Sequence, residues 1–333
     1  MNKLTFTFIT LIILALGSAI AGLSFGPADL SKNQIFQCIT GQCLDQISQM
    51  VIWQIRVPRV LVALVAGMGL AIAGAILQNT TRNPLADPYL FGIISGAGLG
   101  VTIANVSLSS IGLEQQFAIA LPLAAFLGAL LAITIVLVIA KVLQRMELLL
   151  LTGIAVSFML AAITQFILYF GEPFATNRVI FWLMGSLSRV EMSNFYVIAT
   201  VLLITLLIIT ALHRQIDALL LGDESAASLG VNVDKLRLLM LGLCAALTAT
   251  IVSYCGGIGF VGLMIPHIVR QLIGVTTLKL VIGSALIGGS FLIWVDIIAR
   301  SALENAEIPI GIITSALGSI FFLFIMVKTR HIN

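Results

Sequence analysis

The chain has 333 residues, of which 60% are hydrophobic and only 9% are charged. A soluble domain carries roughly 25% charged residues, so this composition cannot cover a water-exposed surface. The mean hydropathy of +1.15 and several long apolar runs instead place the chain in a lipid bilayer. The net charge of +3 is small and dispersed along the chain, which excludes a nucleic-acid-binding protein.

Ten apolar stretches are candidate membrane spans. Lipid offers no hydrogen-bond partners to free backbone groups, so each span is predicted to be a helix. The sequence therefore predicts an all-α, polytopic membrane protein with about ten transmembrane helices, forming one domain over residues 1–333. The predicted spans are 4–25, 57–78, 89–108, 115–141, 148–170, 192–212, 236–255, 260–275, 280–302 and 308–328. The eighth is short and contains a proline.

The first stretch also resembles a signal peptide, because Lys3 precedes an apolar run that reaches an Ala19-Ile20-Ala21 pattern. The run is long enough to cross a membrane, and we interpret it as an uncleaved first span. With the N-terminus inside, eleven Lys and Arg residues fall on the cytoplasmic side and six outside. This bias predicts that both termini are cytoplasmic.

The four cysteines fall into two groups. Cys244 and Cys255 lie in apolar spans and are typical of small core residues. Cys38 and Cys43 flank a polar stretch that the topology places outside. A disulfide is permitted there, and two free thiols fit the sequence equally well.

The segment "TRNPLADP", residues 81–88, joins the second and third spans on the predicted cytoplasmic side. Pro84 and Pro88 interrupt helix formation, and each pushes the preceding Asn83 or Asp87 out of the α region. We therefore expect a stiff, non-helical elbow with polar groups at the membrane edge. A simple turn between two spans is the alternative interpretation.

Residues 213–237 form the longest predicted cytoplasmic loop. Within it, Gly222 and Gly230 bracket "DESAASL", where Asp223 could act as an N-cap and Gly230 as the C-terminal stop. The pattern predicts two short helices with apolar residues on one side. That side would be covered by lipid headgroups, by a partner's groove or by the protein's own bundle.

A third polar group is "RVPR", residues 56–59, at the predicted outer end of the second span. Arg56 and Arg59 are three residues apart, which could place them on one helix face. Arg300 ends the ninth span on the same side, and Asp296 lies four residues before it, which predicts a structural ion pair. The alternative for Arg56 and Arg59 is snorkelling to lipid headgroups.

Catalytic motifs are missing. The sequence has no G-x-x-x-x-G-K-[ST] phosphate loop, so ATP hydrolysis by this chain alone is not expected. It has no H-E-x-x-H motif or clustered histidines, and neither a metal site nor a cofactor is predicted. An intramembrane enzyme remains the rival interpretation, but it would need a catalytic pair that the spans do not supply.

The fifth span carries a stripe of small and polar residues at helical spacing. Helix packing explains such a stripe by default, and a water-accessible pathway would also favour it. The members of the stripe are Gly153, Ser157, Ala161 and Thr164.

Several long motifs resemble the FecCD-type permeases, which import iron-siderophores, haem and vitamin B12. The similarity runs from about Arg56 to Lys328, with the motifs in the family's order. The matching segments are 56–92, "GFVGLMIPHIVRQLIG" at 259–274, "DIIARSALENAEIPIGIITSALGSIFF" at 296–322, and "LGDESAASLGV" at 221–231, which looks like the family's ATPase-coupling loop.

The resemblance implies a vitamin B12 permease-like fold and an ABC importer in the bacterial cytoplasmic (inner) membrane. Two copies of the chain would form the pathway, two ATP-binding subunits would bind inside, and a substrate-binding protein would dock outside. The resemblance implies three sets of residues. The residues that would dock the binding protein are Arg56, Arg59 and Arg300. The residues that would form the cytoplasmic gate are Asn83, Leu85, Met146 and Glu147. The residues that would couple to the ATPase are Leu221, Gly222, Asp223, Glu224, Ser225, Ala226, Ala227, Leu229 and Gly230.

One segment departs from the family. After the eighth span many relatives have a charged Gly-Asp-His-Arg-like turn, whereas this chain has "GVTTLKL" at 274–280. The departure puts ATPase contact by this turn in doubt. The cargo could be a ferric siderophore, haem, cobalamin or another metal complex, because a large chelate needs a shaped tunnel rather than a ligand motif.

Overall fold

A computed structural model describes residues 3–28, 30–43, 45–110, 116–143 and 146–330. The described residues are helical with short connections and contain no strand. The helices are α1 Lys3–Ser24, α2 Lys32–Ile39, α3 Gln46–Met50, α4 Val57–Thr81, α5 Ile93–Ser110, α6 Phe117–Leu143, α7 Met146–Tyr169, α8 Pro173–Leu183, α9 Met192–Leu219, α10 Asp223–Ser228, α11 Val233–Cys255, α12 Val261–Ile273, α13 Thr277–Ser301 and α14 Ile310–Arg330. A π-helical segment, Val51–Arg56, leads into α4, and a 3-10 turn, Pro88–Phe91, precedes α5.

The all-helical prediction is confirmed, and each of the ten predicted spans corresponds to a helix. In the described part of the chain, eight helices are long and apolar enough to cross a membrane. The other two, α5 and α12, have shorter apolar stretches at Ile93–Ser109 and Val261–Ile273. The sequence missed α8, because its eleven residues are too few to be detected as a span.

Helix α4 is the central element of the bundle. It packs against α9, α11, α12 and α13, and nearly all its residues are buried. Glycines allow the close approach: a Cβ on Gly67 would collide with the backbone of Gly288 on α13, and one on Gly74 with the backbone of Gly262 on α12. Small residues at such crossings let helices pack closely in lipid, where van der Waals contact replaces the hydrophobic effect.

The bundle has two polar ends. The end that carries α10 also holds the C-terminus of α4 and the N-terminus of α11, which are joined by side-chain contacts. At the opposite end, the N-terminus of α4 meets the C-termini of α1 and α13. We refer to these as the α10 end and the opposite end.

The segment that includes α2 and α3 lies at the opposite end. A disulfide joins Cys38 to Cys43, which selects one of the two alternatives that the sequence left open. The indole Nε1 of Trp53 donates to the Cys38 carbonyl at 3.3 Å, so the disulfide loop is fixed against the start of the central helix. Cys244 and Cys255 are free and buried, as expected for core residues.

We predict that Gly74→Ala destabilises the fold by about 1–3 kcal/mol, because its methyl group would overpack the crossing of α4 and α12. Gly242→Ala is the matched control, since nothing lies within 4 Å of a Cβ at that helical position. Thermal unfolding followed by size-exclusion chromatography in detergent measures both variants. Equal midpoint temperatures for the two would show that the crossing tolerates a side chain.

Candidate functional site

Helix α10 has six residues and follows closely after the end of the long helix α9. Gly222, with φ of 109°, is its N-cap, and Asp223 is its first residue rather than its cap, which corrects the sequence prediction. An acidic residue in this first turn interacts favourably with the helix dipole. Gly230 follows the C-cap with φ of 82°, as expected for a C-terminal stop.

The sequence predicted two short helices in residues 213–237, and this was wrong. Helix α9 continues through the polar residues 213–215 as far as Leu219, so α10 is the one short helix in this segment. The extension is explained by burial, since Ile216 and Leu219 are fully buried against the bundle while Arg214 remains exposed. From sequence, the polar residues 213–215 resemble part of a loop, whereas in the structure they belong to the amphipathic end of α9.

Asp223 lies at the centre of an ion-pair network. Its carboxylate accepts two hydrogen bonds from Arg237 on α11, at 2.7 and 2.9 Å, and one from Arg82 at 2.7 Å. Arg237 also donates through Nε to the Thr80 carbonyl at 3.2 Å. The hydrogen bonds from Arg237 and the charges of both arginines hold the pKa of Asp223 below its usual value. The network joins α10 to the end of α4.

The elbow between α4 and α5 begins directly at this network. Arg82 has a left-handed conformation, with φ of 51°, and ends α4. Asn83 then accepts the Leu85 N–H through Oδ1 at 2.9 Å, and its carbonyl accepts from Ala86 N at 3.1 Å. The segment is thus a hydrogen-bonded, non-helical elbow in which Leu85 is exposed.

The other two residues assigned to the gate are Met146 and Glu147. Helix α7 begins at Met146, but both side chains lie outside the described residues. Their place relative to Asn83 and Leu85 therefore stays a prediction.

Asp87 completes the elbow from its buried side. Its Oδ1 accepts from the Tyr89 N–H at 2.8 Å, and the Tyr89 hydroxyl accepts from the Ile258 N–H at 3.1 Å. Burial raises the pKa of Asp87 to about 6, and the Tyr89 hydrogen bond offsets only part of this effect. The elbow is therefore anchored to the segment between α11 and α12.

A polar cluster that the sequence missed lies beside the elbow. Arg270 donates to Gln78 Oε1 at 2.6 Å and to Asn79 Oδ1 at 3.0 Å. Gln78 donates to the Gly262 carbonyl at 3.1 Å, and Asn79 to the Val275 carbonyl at 3.3 Å. An available signal was the single arginine in the apolar eighth span, because a charge there needs a partner.

At the opposite end, Arg59 holds two acidic residues. Its Nε donates to Asp296 Oδ1 at 2.7 Å, and its two terminal nitrogens donate to Glu307, each at 2.8 Å. Arg300 approaches Asp296 with Nε 3.3 Å from Oδ2 and donates to the Gly22 carbonyl at 2.7 Å. The predicted pair of Asp296 and Arg300 is thus part of a larger buried network.

The docking arginines do not have the exposure that the sequence predicted. Arg56, Arg59 and Arg300 are all buried, with exposures of 2%, 5% and 3%. Arg56 donates to the carbonyls of Leu23 and Ser24, which are unpaired groups at the C-terminus of α1. The sequence could not predict this burial, because the carbonyl groups and Glu307 that accept hydrogen bonds from these guanidinium groups are distant in sequence.

The stripe on α7 packs inside the subunit, which agrees with the default interpretation of the sequence rather than with the alternative of a water-accessible pathway. Gly153 packs against the backbone of Leu90, and Ser157 lies near Gly92. Thr164 is buried and donates to its own helix. Ala161 is half-buried. The stripe is a packing surface within the subunit, while large apolar residues occupy the exposed side of α7.

The described residues contain no group of three or more His, Cys, Asp or Glu side chains that could hold a metal ion. The polar groups at the α10 end instead link helices to one another. This arrangement can transmit movement between α10 and the elbow, because ion pairs and hydrogen bonds connect the two without an intervening flexible segment.

Comparison with known proteins identifies similar transporters. The family model described as the FecCD transport family matches residues 10–328. The chain is 37% identical to the hemin transport system permease protein of Yersinia pestis, covering 98% of this chain and 96% of that protein. It is 37% identical to the cobalamin import system permease protein of Halobacterium salinarum, covering 85% of this chain and 75% of that protein. A solved inward-facing structure of a metal-chelate type ABC transporter matches with a TM-score of 0.85 and 31% identity, over 97% of this chain and 99% of that one.

We predict that Asp87→Asn stabilises the protein at pH 8 by at most about 3 kcal/mol, since a pKa raised from 3.8 to about 6 penalises the ionised folded state. Asp87 lies outside the apolar spans. The gain should shrink as pH falls from 6 to 4, because the wild-type carboxyl then becomes protonated in the fold.

Unfolding midpoints between pH 4 and pH 8 test this dependence. Asp234→Asn, at an exposed position in the first turn of α11, is the control and should not stabilise the protein at any pH. A gain from Asp87→Asn that is constant across the range would refute titration of Asp87 as its cause.

Proposed function

Since this chain belongs to the FecCD transport family, we propose that it forms, as a homodimer, the membrane pathway through which one bulky metal chelate is imported. It is a permease subunit of an ABC importer and not an enzyme. ATP hydrolysis on a partner subunit drives the transport. The observation that carries the proposal is the continuous connection from the exposed helix α10 through Asp223 to the elbow.

The cargo class is a ferric siderophore, haem or cobalamin. Two relatives are named as permeases for hemin and for cobalamin, and a third, of Bacillus subtilis, as a permease for Fe(3+)-citrate. These cargoes share a large size and a metal held by organic ligands. A pathway between two copies of one chain suits such a solute, because it is shaped by two surfaces and need not contain a metal-binding motif.

The ATP-binding subunits dock on α10, and the α10 end faces the cytoplasm. Support comes from the apolar residues that flank this helix: Leu221 and Leu229 are 68% and 65% exposed. Ala226 is buried against the bundle, whereas Ser225 and Ala227 are exposed. A short helix with an uncovered apolar face fits the groove of a partner protein.

Movement of α10 reaches the gate through its ion pairs. Asp223 contacts Arg82, and Arg82 is the residue at which the elbow starts. Displacing α10 therefore shifts Asn83 and Leu85, which close the cytoplasmic mouth together with Met146 and Glu147 at the start of α7. The exposed pair between Arg82 and Asp223 has a small net free energy, which allows it to break and reform during transport.

The substrate-binding protein docks at the opposite end, which faces the periplasm or the cell exterior. Arg59 is buried, but its partner Glu307 reaches the surface, with a side chain that is 35% exposed. An acidic residue of the binding protein would compete with Glu307 for Arg59. Arg56 and Arg300 support the site by fixing the end of α1.

Both chain termini lie in the cytoplasm, and the membrane is the bacterial inner membrane.

Reconstitution tests the function as a whole. Proteoliposomes that contain the permease, its ATP-binding subunit and its binding protein should accumulate one of three cargoes, a ferric siderophore, haem or cobalamin, when ATP is supplied. The matched control replaces ATP with a non-hydrolysable analogue and should show no accumulation. ATP hydrolysis by the full complex without uptake of any of the three would overturn the proposed cargo class.

Thiol crosslinking tests docking at α10. Ser225→Cys or Ala227→Cys should crosslink to the ATP-binding subunit, because both positions are exposed on α10. Ser188→Cys is the control, since it is exposed at the opposite end and should not react with that subunit. The native cysteines are buried or disulfide-bonded and do not interfere. Crosslinking from Ser188→Cys alone would reverse the proposed orientation.

A further inference from the structure

A lateral groove opens between α6 and α9 at the opposite end of the bundle. Both helices pack on α11 but scarcely on each other, so α11 forms the back of the groove. The groove encloses about 1070 Å³ and is lined by the first turns of α6 and α9 and by the end of α11. It lies apart from the elbow and from α10.

The walls of the groove are apolar and open to the side of the bundle. They include Ile119, Leu123 and Phe126 from α6, and Val197 and Val201 from α9. Ile119 and Leu123 are 78% and 55% exposed, as expected for lipid-facing residues. The lining of α6 extends roughly 14 Å along its axis at 1.5 Å per residue, which matches about one leaflet of a hydrocarbon core about 30 Å thick.

The rim of the groove is cationic. The guanidinium carbon Cζ of Arg178, on α8, lies 4.3 Å from the centre of the Phe117 ring. Its Nη1 donates to Asn105 Oδ1 at 3.4 Å. Arg189 also lines the rim and is exposed. In the described part of the chain, neither arginine forms an ion pair with a carboxylate. Glu191 is the acidic residue among the lining side chains, so the two arginines outnumber it.

We propose that this groove binds an anionic phospholipid, with its phosphate on Arg178 and Arg189 and an acyl chain along the apolar walls of α6 and α9. Guanidinium groups suit phosphate because they can donate two parallel hydrogen bonds. A water-soluble anion would gain nothing from the apolar walls, whereas a phospholipid matches both parts of the groove.

This inference needs the chain to lie in a membrane, but it depends on neither the cargo nor the ATP-binding subunit. The proposed orientation adds one consequence, which is that the groove lies in the outer leaflet of the membrane. Anionic phosphate is shared by a lipid headgroup and by free phosphate in solution, and the experiment separates these two sources.

Trp182 provides a probe, because it lines the groove together with Arg178 and Arg189. Trp53→Phe and Trp294→Phe remove the other two tryptophans. The full-length chain is placed in phosphatidylcholine nanodiscs with a minor fraction of brominated phosphatidylglycerol, or with the same fraction of brominated phosphatidylcholine. Bromine quenches tryptophan fluorescence at short range, so stronger quenching by the brominated phosphatidylglycerol reports its enrichment at the groove.

We expect the preference for phosphatidylglycerol to fall by about 25-fold in the double variant Arg178→Gln/Arg189→Gln, since each arginine contributes roughly fivefold. Arg178→Lys/Arg189→Lys should keep most of the preference, because the charge remains. Arg214→Gln is the matched control: it removes an exposed arginine at the other end of α9 and should change nothing.

Equal quenching by the two brominated lipids would overturn the proposal, as would an unchanged preference in the double glutamine variant. Loss of the quenching on addition of inorganic phosphate would assign the arginines to a soluble anion instead. If the variant with a single tryptophan does not fold, the difference between the wild type and Trp182→Phe supplies the same signal. None of these outcomes depends on transport activity.

Discussion

The close approach of α4 to its neighbours is the constraint on which the rest of the structure depends. Gly67 and Gly74 bring the backbones of α13 and α12 into contact with it, which leaves no room for water or lipid along the centre of the bundle. The buried arginine and amide side chains near the two ends of α4 therefore find their partners inside the protein. Arg59 does so at one end and Gln78 at the other.

This constraint makes α4 a rigid connection between two polar ends. Its N-terminal arginines fix the ends of α1 and α13, and its C-terminus leads through Arg82 into the elbow. A helix packed on all sides resists bending, so in the proposed mechanism a displacement at the α10 end is passed to the elbow. The helical hydrogen bonds of α4 stop at the left-handed Arg82. A hinge there costs little free energy, because the backbone groups at a helix end have no intrahelical hydrogen bonds to lose.

Composition and local spacing were sufficient to predict the ten apolar helices, the elbow and the stop at Gly230, because each depends on residues close in sequence. The burial of Arg56 and Arg59 could not be predicted in this way. Arg59 and Glu307 are 248 residues apart, and the local partner of Asp296 was taken to be Arg300 alone. The same limit explains the missed cluster around Arg270, whose partners lie at the end of another span. The extension of α9 was missed because burial of Ile216 is a tertiary property.

The turn that departs from the family shows how the α10 end is organised. Its backbone is held internally: Asn79 donates to the Val275 carbonyl, and the Thr277 N–H donates to Asp217 at 2.8 Å. These contacts fix the turn to α4 and α9 without using a charged side chain at its tip. Val275 is exposed there, so the turn presents an apolar group at the α10 end. In the proposed complex, contact with the ATP-binding subunit rests on apolar burial of Leu221 and Leu229 beside α10, and salt should weaken it little.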